Sequence, residues 1–390
     1  MIHSPTRLLE IVAIIGCLSS SAYYLICLWS ASVFVRASKR NAVIPNGPFL
    51  PPVTILKPLK GIDPDIYDAF RSHCLQDYPQ YEIIFGVSDA DDPAVASVEQ
   101  LKREFPQLSI SLIVCHTILG TNVKVSNLEY MVHSARYDHL IVNDSDIRVE
   151  RDYLKKVLAP FADEQIGMVT CLYRGAPAKT LGSHLEALGI GTDFSAGVLV
   201  AQQIEGGLHF GLGSTLAFRR ADLDSIGGFE TVVDFLADDY ELGRRIADLG
   251  KKVVLSSAVV ETHLPAYDLS GFLSHQMRWA RGVRDARLGG YIGLVSTFGL
   301  MWSLLTVGAA KAVLWSWVVL AVVLLLRFSV ALRVGKSVLH DKNLIAQLWL
   351  LPIRDLIAVG VWIVSFFGHT VVWRGEKFIL KNGRLLRRNG

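Results

Sequence analysis

His139-Leu-Ile-Val-Asn143-Asp144-Ser145-Asp146-Ile-Arg-Val149 is a short apolar run that breaks off in polar residues. His139–Asn143 has the length and character of a buried parallel strand. Asp144, Ser145 and Asp146 follow at its C-terminal end, where open α/β sheets bind ligands. Two carboxylates one residue apart can share a divalent cation. Mg²⁺ and Mn²⁺ suit oxygen ligands and often complete their shell with water and substrate phosphates. The triplet therefore reads as a metal–diphosphate site. Taken alone, an Asx-type turn is the simpler reading, because Asp and Ser favour turns.

The surroundings support the α/β reading. Val53–Lys57, Glu82–Ser88 and Ile110–Cys115 are further strand patterns, and Pro64–Gln76, Pro93–Phe105 and Lys124–Ala135 are helical patterns between them. Such alternation predicts a mostly parallel sheet. Asp63-Pro64 and Asp92-Pro93 both look like an N-cap followed by proline at the first helical position. Further on come glycine-rich turns around Gly206–Gly213, a strand at Ser214–Phe218, and a helix from Asp238-Asp239 to near Gly250. Either aspartate could simply cap that helix. Ala258–His263 reads as a last edge strand.

The 390 residues are 51% hydrophobic with a net charge of +3, a balance that gives no argument for nucleic acid. The mean hydropathy of +0.36 comes from apolar runs near both ends. Cys17, Cys27, Cys74, Cys115 and Cys171 lack metal or redox spacing and fit free thiols. Residues 11–35 carry no charge and are long enough to span a bilayer. Arg36, Lys39 and Arg40 stand where a signal peptide would be cleaved, and the positive-inside rule puts them in the cytoplasm. Pro45, Gly47, Pro48, Pro51 and Pro52 mark a linker. After residue 290 the chain is again apolar. Residues 291–310 and 356–373 are uncharged, 312–332 carry Arg327, and 344–351 form an apolar run interrupted by Pro352, Arg354 and Asp355. The basic tail (Arg374, Lys377, Lys381, Arg384, Arg387, Arg388) also belongs in the cytoplasm. That requires an even number of C-terminal crossings, with 291–310 lying along the interface. The expected organisation is an anchor at 1–40, a cytoplasmic domain at 41–290 and a membrane region at 291–390.

Four pieces occur in order: Asp89-Ala-Asp-Asp92, Asp144-Ser-Asp146, Asp238-Asp239 and His275-Gln-Met-Arg278-Trp279. Three aspartate sites and a later x-x-Arg-Trp resemble the family-2-like nucleotide-sugar glycosyltransferases of GT-A fold. More closely, the chain resembles the ceramide glucosyltransferases of family 21. The resemblance rests on Thr54-Ile-Leu-Lys-Pro-Leu-Lys-Gly61, Asp91-Asp92-Pro93-Ala94, the segment around Lys124 and Asn127, Asp-Ser-x-Ile-Arg-Val at 144–149, and Asp-Asp-Tyr at 238–240. It covers roughly residues 50–290. Bacterial hopanoid glycosyltransferases look similar too, sharing the type of Leu351-Pro-Ile-Arg-Asp355 and Val371-Val-Trp-Arg-Gly375.

The resemblance implies an α/β GT-A domain that binds a UDP-sugar with Mn²⁺ or Mg²⁺, and a membrane lipid as acceptor: glucose passing from UDP-glucose to ceramide, or in the alternative N-acetylglucosamine from its UDP-sugar to a hopanoid. It assigns the metal to Asp144 and Asp146 and the nucleoside to Asp92 or Asp89. Lys57, Lys124 and Asn127 join the donor contacts. Asp239 becomes the general base with Asp238 in support, and direct attack implies inversion. Arg278 and Trp279 would hold the diphosphate and stack near the acceptor. Alternatively they belong to an amphipathic interfacial helix. His275 stands where the family has Gln or Arg, and Gln276 comes one place later. A processive polysaccharide synthase shares these motifs but favours Gln at that first position. A non-catalytic scaffold is the third class. The apolar stretch 184–204, including Leu185, Leu188, Phe194 and Leu199, is expected to form a lid at the bilayer surface, the other reading being a buried core helix.

Overall fold

A computed structural model describes residues 5–41, 49–373 and 375–387. Pro45, Gly47, Pro48, Arg374 and Arg388 lie outside the described residues, as does the side chain of Arg40. The expected anchor is α1, Pro5–Asn41, a single helix of 37 residues.

The sheet domain comes next. Its strands are β1 (Val53–Pro58), β2 (Tyr81–Val87), β3 (Ser109–Val114), β4 (His139–Val142), β5 (Ile147–Arg148), β6 (Ile166–Ala176), β7 (Leu216–Arg219) and β8 (Lys252–His263). They form one sheet in the order β3-β2-β1-β4-β7-β6-β8-β5. The first four strands are parallel. β7 is antiparallel to both β4 and β6. Crossover helices α2 (Ile66–Cys74), α3 (Ala94–Glu104) and α4 (Val123–His133) link the parallel strands. The strands of that half are apolar and, except for β3, almost wholly buried, as expected when helices cover both faces.

Two local expectations need correction. β8 lies between β6 and β5 and so is not an edge strand. α2 starts at Ile66 with Asp65 before it, so Asp63 is not its cap. The Asp63 carboxylate instead receives the Ser145 hydroxyl.

Residues 181–204 form α5 (Leu181–Gly189), a π-helical turn (Ile190–Phe194) and α6 (Ser195–Ile204). Leu185, Leu188 and Leu199 are each 1% exposed, so this is buried core and not a surface lid. α6 packs on α1, where Gly197 meets the Tyr23 hydroxyl. Beyond it, α7 (Asp238–Asp248) precedes β8, and α8 (Leu269–Ala286) leaves the sheet.

Among the described residues, three helices are long and apolar enough to cross a membrane: Thr6–Lys39, Leu314–Val338 and Leu344–Ser365. Residues 288–297 and 299–309 form a pair of helices bent by 51°. The second of these, α9 (Gly299–Ala309), packs along α1, with Trp302 against Gly16 and Thr306 3.5 Å from Cys17 Sγ. α10 (Leu314–Leu332) lies beside both. Arg354 and Asp355 do not break the third of these helices. Pro352 sits in the first turn of α11 (Leu351–Ser365), where its missing N–H costs nothing. The charges of Arg354 and Asp355 are paired inside the protein. The apolar stretch 356–373 is not one helix. α11 ends at Ser365, and β9 (Thr370–Trp373), β10 (Glu376–Lys381) and β11 (Arg384–Arg387) form a small antiparallel sheet.

Candidate functional site

The parallel half of the sheet meets the antiparallel half at β4, and the acidic residues gather there. Near the end of β1 stands Lys57, which is fully buried and donates from Nζ to the Asp144 carbonyl at 2.9 Å. β4 runs into Asn143, also fully buried, whose amide donates to Ser214 O at 2.8 Å and to the Tyr153 hydroxyl at 2.9 Å. These bonds fix the backbone from which Asp144 and Asp146 project.

Lys124, in the first turn of α4, reaches Asp144 Oδ1 at 2.8 Å and Asp238 Oδ2 at 3.3 Å. Asn122 caps that helix by accepting from Val125 N at 3.2 Å. Its amide donates to Phe235 O at 2.9 Å and Asp238 Oδ1 at 3.3 Å. Asp238 is therefore a partner of α4, and no side chain caps α7. Asp239 Oδ2 accepts from Gly213 N at 2.7 Å, and Oδ1 accepts from Tyr240 N at 2.8 Å. A methyl group on Gly213 would stand 3.2 Å from Asp239 Oδ2 and 3.3 Å from Asp144 Oδ2. One glycine thus separates the two carboxylates.

Burial sets the protonation of the cluster. The Asp239 carboxyl is pushed up to about 6 by burial and then by Asp238, with Lys124 opposing. Asp146 is likewise raised to about 6, by burial first and then by Asp144, while the Thr262 hydroxyl bonded to it lowers it. Burial pulls Lys57 down to about 7 against the nearby Asp146 and Asp144. Burial also opposes the charge on Lys124, but Asp144 and Asp238 outweigh it and hold the amine above its ordinary value. Lys57 and Lys124 are thus interior charges, not solvated surface lysines.

Asp144 and Asp146 could hold a divalent ion. They offer hard oxygen donors, and the crowding that drives Asp146 towards protonation is what a cation relieves. Among the described residues no cluster of three His, Cys, Asp or Glu surrounds such a position. Water and phosphate oxygens would complete the shell.

The other expected residues lie around this centre. Asn127, one turn after Lys124, is buried and accepts from the Ser88 hydroxyl at 3.0 Å, at the end of β2. Asp92 accepts from Gly61 N at 2.9 Å and from Ala94 N at 2.9 Å, so its carboxylate braces the start of α3 against the loop after β1. Asp89 is exposed and accepts from Asp91 N at 3.0 Å. On α8, His275 and Gln276 both turn to Glu186. His275 Nδ1 lies 3.1 Å from one carboxylate oxygen, and Gln276 Nε2 donates to the other at 2.8 Å. Gln276 Oε1 accepts from Arg354 at 2.9 Å. Arg278 is half-buried within electrostatic reach of Tyr267, whose hydroxyl is pushed up to about 12 by burial and then by Glu186. Trp279 packs 5.3 Å from His275 and 5.8 Å from Phe194, which in turn lies 5.2 Å from Tyr173.

Sequence reasoning passed over Asn122, Gly213, Thr262 and Glu186. Asn122 carried a signal, as a capping residue ahead of a helical pattern. Glu186 carried a fainter one, a lone carboxylate in an apolar stretch.

The model of glycosyl transferase family 21 matches residues 12–386. The chain belongs to this family. It is a family 21 glycosyltransferase with helices that associate with a membrane. Ceramide glucosyltransferase 3 of Caenorhabditis elegans is 25% identical over 96% of this chain and 82% of its own length. Ceramide glucosyltransferase 1 of the same animal is 24% identical over 97% and 82%. Among solved structures, a mannosyltransferase from Pyrobaculum calidifontis, in complex with GDP-Man and Mn²⁺, matches with a TM-score of 0.51 and 19% identity. The match covers 92% of this chain and 99% of that one, and it shows the shared GT-A fold. In this family 21 chain the mixed sheet of that fold carries Lys57 near the end of β1 and Asp144 and Asp146 after β4, with Asp238 and Asp239 at the start of α7.

Proposed function

We propose that the chain transfers glucose from UDP-glucose to the primary hydroxyl of ceramide, with inversion at the sugar. The observation that carries this reading is the meeting of Asp144 and Asp239 at Gly213. A leaving diphosphate and an attacking hydroxyl must sit on opposite sides of one sugar carbon, and two carboxylates at one glycine suit that arrangement.

The donor diphosphate lies by Asp144 and Asp146, which would hold Mn²⁺ or Mg²⁺. The ion, when bound, neutralises charge on the leaving group. The Asp89–Asp92 turn lines the uridine side, Lys57 and Asn127 support it from the interior through Asp144 O and Ser88 in place of the expected donor contacts, and Arg278 approaches the phosphates from α8. Asp239 accepts the proton of the acceptor hydroxyl. The hydroxyl oxygen then bonds the anomeric carbon as its bond to the diphosphate breaks. Gly213 N and Tyr240 N hold the Asp239 carboxylate in place. Asp238, fixed by Asn122 and Lys124, raises its basicity. Trp279 stacks near the acceptor.

The catalytic unit spans residues 41–290 and faces the cytoplasm of a bacterial inner membrane, since Arg36 and Lys39 come directly after the apolar part of α1. The contact of the C-terminal sheet with the sheet domain at Phe235 supports a reading with both on one side and an even number of crossings between them. The bent pair of helices at 288–309, taken together and not along the interface as expected for 291–310, and α10 supply two crossings beside α1. α11 lies along α8, with Arg354 bonded to Gln276 and Ser365 to Arg284, and rests in the interface.

The test is lipid analysis of a host supplied with ceramide and expressing the chain or its Asp239→Asn variant. A hexosylceramide formed only with the unaltered chain is expected. Transfer of the sugar to a hopanoid, or to a growing polysaccharide, would overturn the acceptor assignment.

A further inference from the structure

The basic C-terminal segment is not a loose tail. β10 and β11 are joined by Asn382-Gly383, whose φ angles of 51° and 76° make the two-residue turn that fits a right-twisted hairpin. This turn is inserted between two parts of the transferase site. On one side is the loop that leads into Asp238 and Asp239. Leu236 N donates to Gly383 O at 3.0 Å, and Leu385 N donates to Asp234 O at 2.7 Å. The Arg384 guanidinium lies 5.0 Å above the Phe235 ring. The Phe235 carbonyl is the one held by Asn122, which also holds Asp238.

On the other side is α8. Gly383 N donates to the Asp285 carboxylate, and Arg281 donates to Thr370 O and, at 2.9 Å, to Phe367 O. Arg278, Arg281 and Asp285 are spaced by three and four residues, which puts them on one face of the helix. The face that carries Arg278 is therefore the face that grips the C-terminal sheet.

We propose that this sheet is a positioning element for sugar transfer: its Asn382–Gly383 turn ties the Asp238–Asp239 loop to the helix bearing Arg278. Asp285, Gly383 and Arg384 are its positioning residues. The inference rests on the roles given above to Asp239 and Arg278. Misplacing a reacting group by about 1 Å can cost on the order of a hundredfold in rate, so the clasp acts on turnover more than on donor affinity.

The experiment uses the full chain in lipid nanodiscs with UDP-glucose and ceramide. Asp285→Ala removes the acceptor for Gly383 N, while Asp285→Asn keeps an oxygen there. Asp285→Ala is expected to lower kcat about tenfold with donor KM changed less than about twofold, and Asp285→Asn to recover most of the loss. Amide exchange at residues 234–240 should quicken in Asp285→Ala and not in β1 or β4. Gly383→Val, which drives a side chain into Phe235, should behave like Asp285→Ala and serves if that variant fails to fold. Wild-type kcat in a variant whose 234–240 segment exchanges faster would overturn the proposal, as would equal losses in Asp285→Ala and Asp285→Asn. Asp239→Asn, assayed in parallel, tests the base assignment alone. Transfer by that variant would remove the assignment without altering the exchange result.

Discussion

Lys124 Nζ stands 2.8 Å from Asp144 Oδ1 and 3.3 Å from Asp238 Oδ2, joining a carboxylate of the β4 end to one of the α7 start. The pair with Asp238 is the more buried, at 12% and 8% side-chain exposure. Removing one partner of a buried pair costs about 3–5 kcal/mol, because the other charge is left uncompensated. Lys124→Met is therefore expected to destabilise the protein by about that amount, and adding Asp238→Asn to recover much of it. Thermal unfolding of the single and double variants checks this. Strictly additive losses would show that the two groups do not sense each other.

Much of this centre is legible in the sequence. β1 to β4 are apolar runs of strand length separated by helical patterns, so their order and the position of Asp144 and Asp146 at a strand end can be read directly. The antiparallel half is harder. β6 escapes notice because Thr170 and Arg174 interrupt its apolar character, although nearly all of it is buried by pairing with β7 and β8. The C-terminal sheet escapes for a different reason. Its Lys and Arg residues read as a topology signal, which hides the Asn382-Gly383 hairpin among them. Residues 184–204 are legible as apolar, but sequence does not say what covers them. Membrane helices do, so Leu188 and Leu199 face protein on all sides.

Removal of divalent ions should abolish transfer and weaken UDP-glucose binding. Asp146 sits at about 6 because burial and the neighbouring Asp144 disfavour its charge. A bound cation reverses that preference, so Mn²⁺ or Mg²⁺ affinity should fall as pH drops below about 6. Titration of the ion by calorimetry across that range reads the effect. Full activity in excess chelator would sink the metal assignment.

Arg278→Lys should lose about a hundredfold in kcat while the protein keeps its melting temperature, because a planar fork of donors is replaced by a point charge. Phosphate recognition needs the fork, whereas a helix at the interface needs only a cation. Near-normal turnover in Arg278→Lys would favour the interfacial role for this face of α8.

The rate should track the ionisation of Asp239. Its carboxyl, raised to about 6, is protonated below that pH and cannot accept a proton from the acceptor. With ion and donor saturating, log kcat should rise with pH up to about 6 and level off above it. After burial, Asp238 is the main group raising Asp239. Asp238→Asn should therefore move the acid limb to lower pH. A limb that stays in place would point to another titrating group.

The membrane helices meet the sheet domain through a buried charge network. Arg327, on α10, is 4% exposed and pairs with Asp193 at 2.6 Å and Asp355 at 2.7 Å. Two of its nitrogens engage Asp355 together, and a third donates to the Thr192 carbonyl at 3.1 Å. One guanidinium thus joins the π-helical turn Ile190–Phe194 to α10 and α11. Arg354 adds a weaker link, 3.7 Å from Asp193. The turn ends in Phe194, which packs on Trp279, so the network also steadies the residue proposed to stack near the acceptor. Arg327→Met would leave Asp193 and Asp355 with only the weaker Arg354 beside them, at a cost of about 3–5 kcal/mol. Arg327→Lys keeps the charge but cannot bridge both aspartates with a planar fork, so it should fold and transfer sugar several-fold more slowly. Arg327→Met combined with Asp193→Asn and Asp355→Asn should regain part of that stability, since the charges facing Arg327 are then removed while Arg354 keeps its bond to Gln276. Thermal unfolding in detergent and lipid-transfer rates separate the two effects. If the triple variant is no more stable than Arg327→Met, the network does not carry the contact between membrane helices and sheet domain.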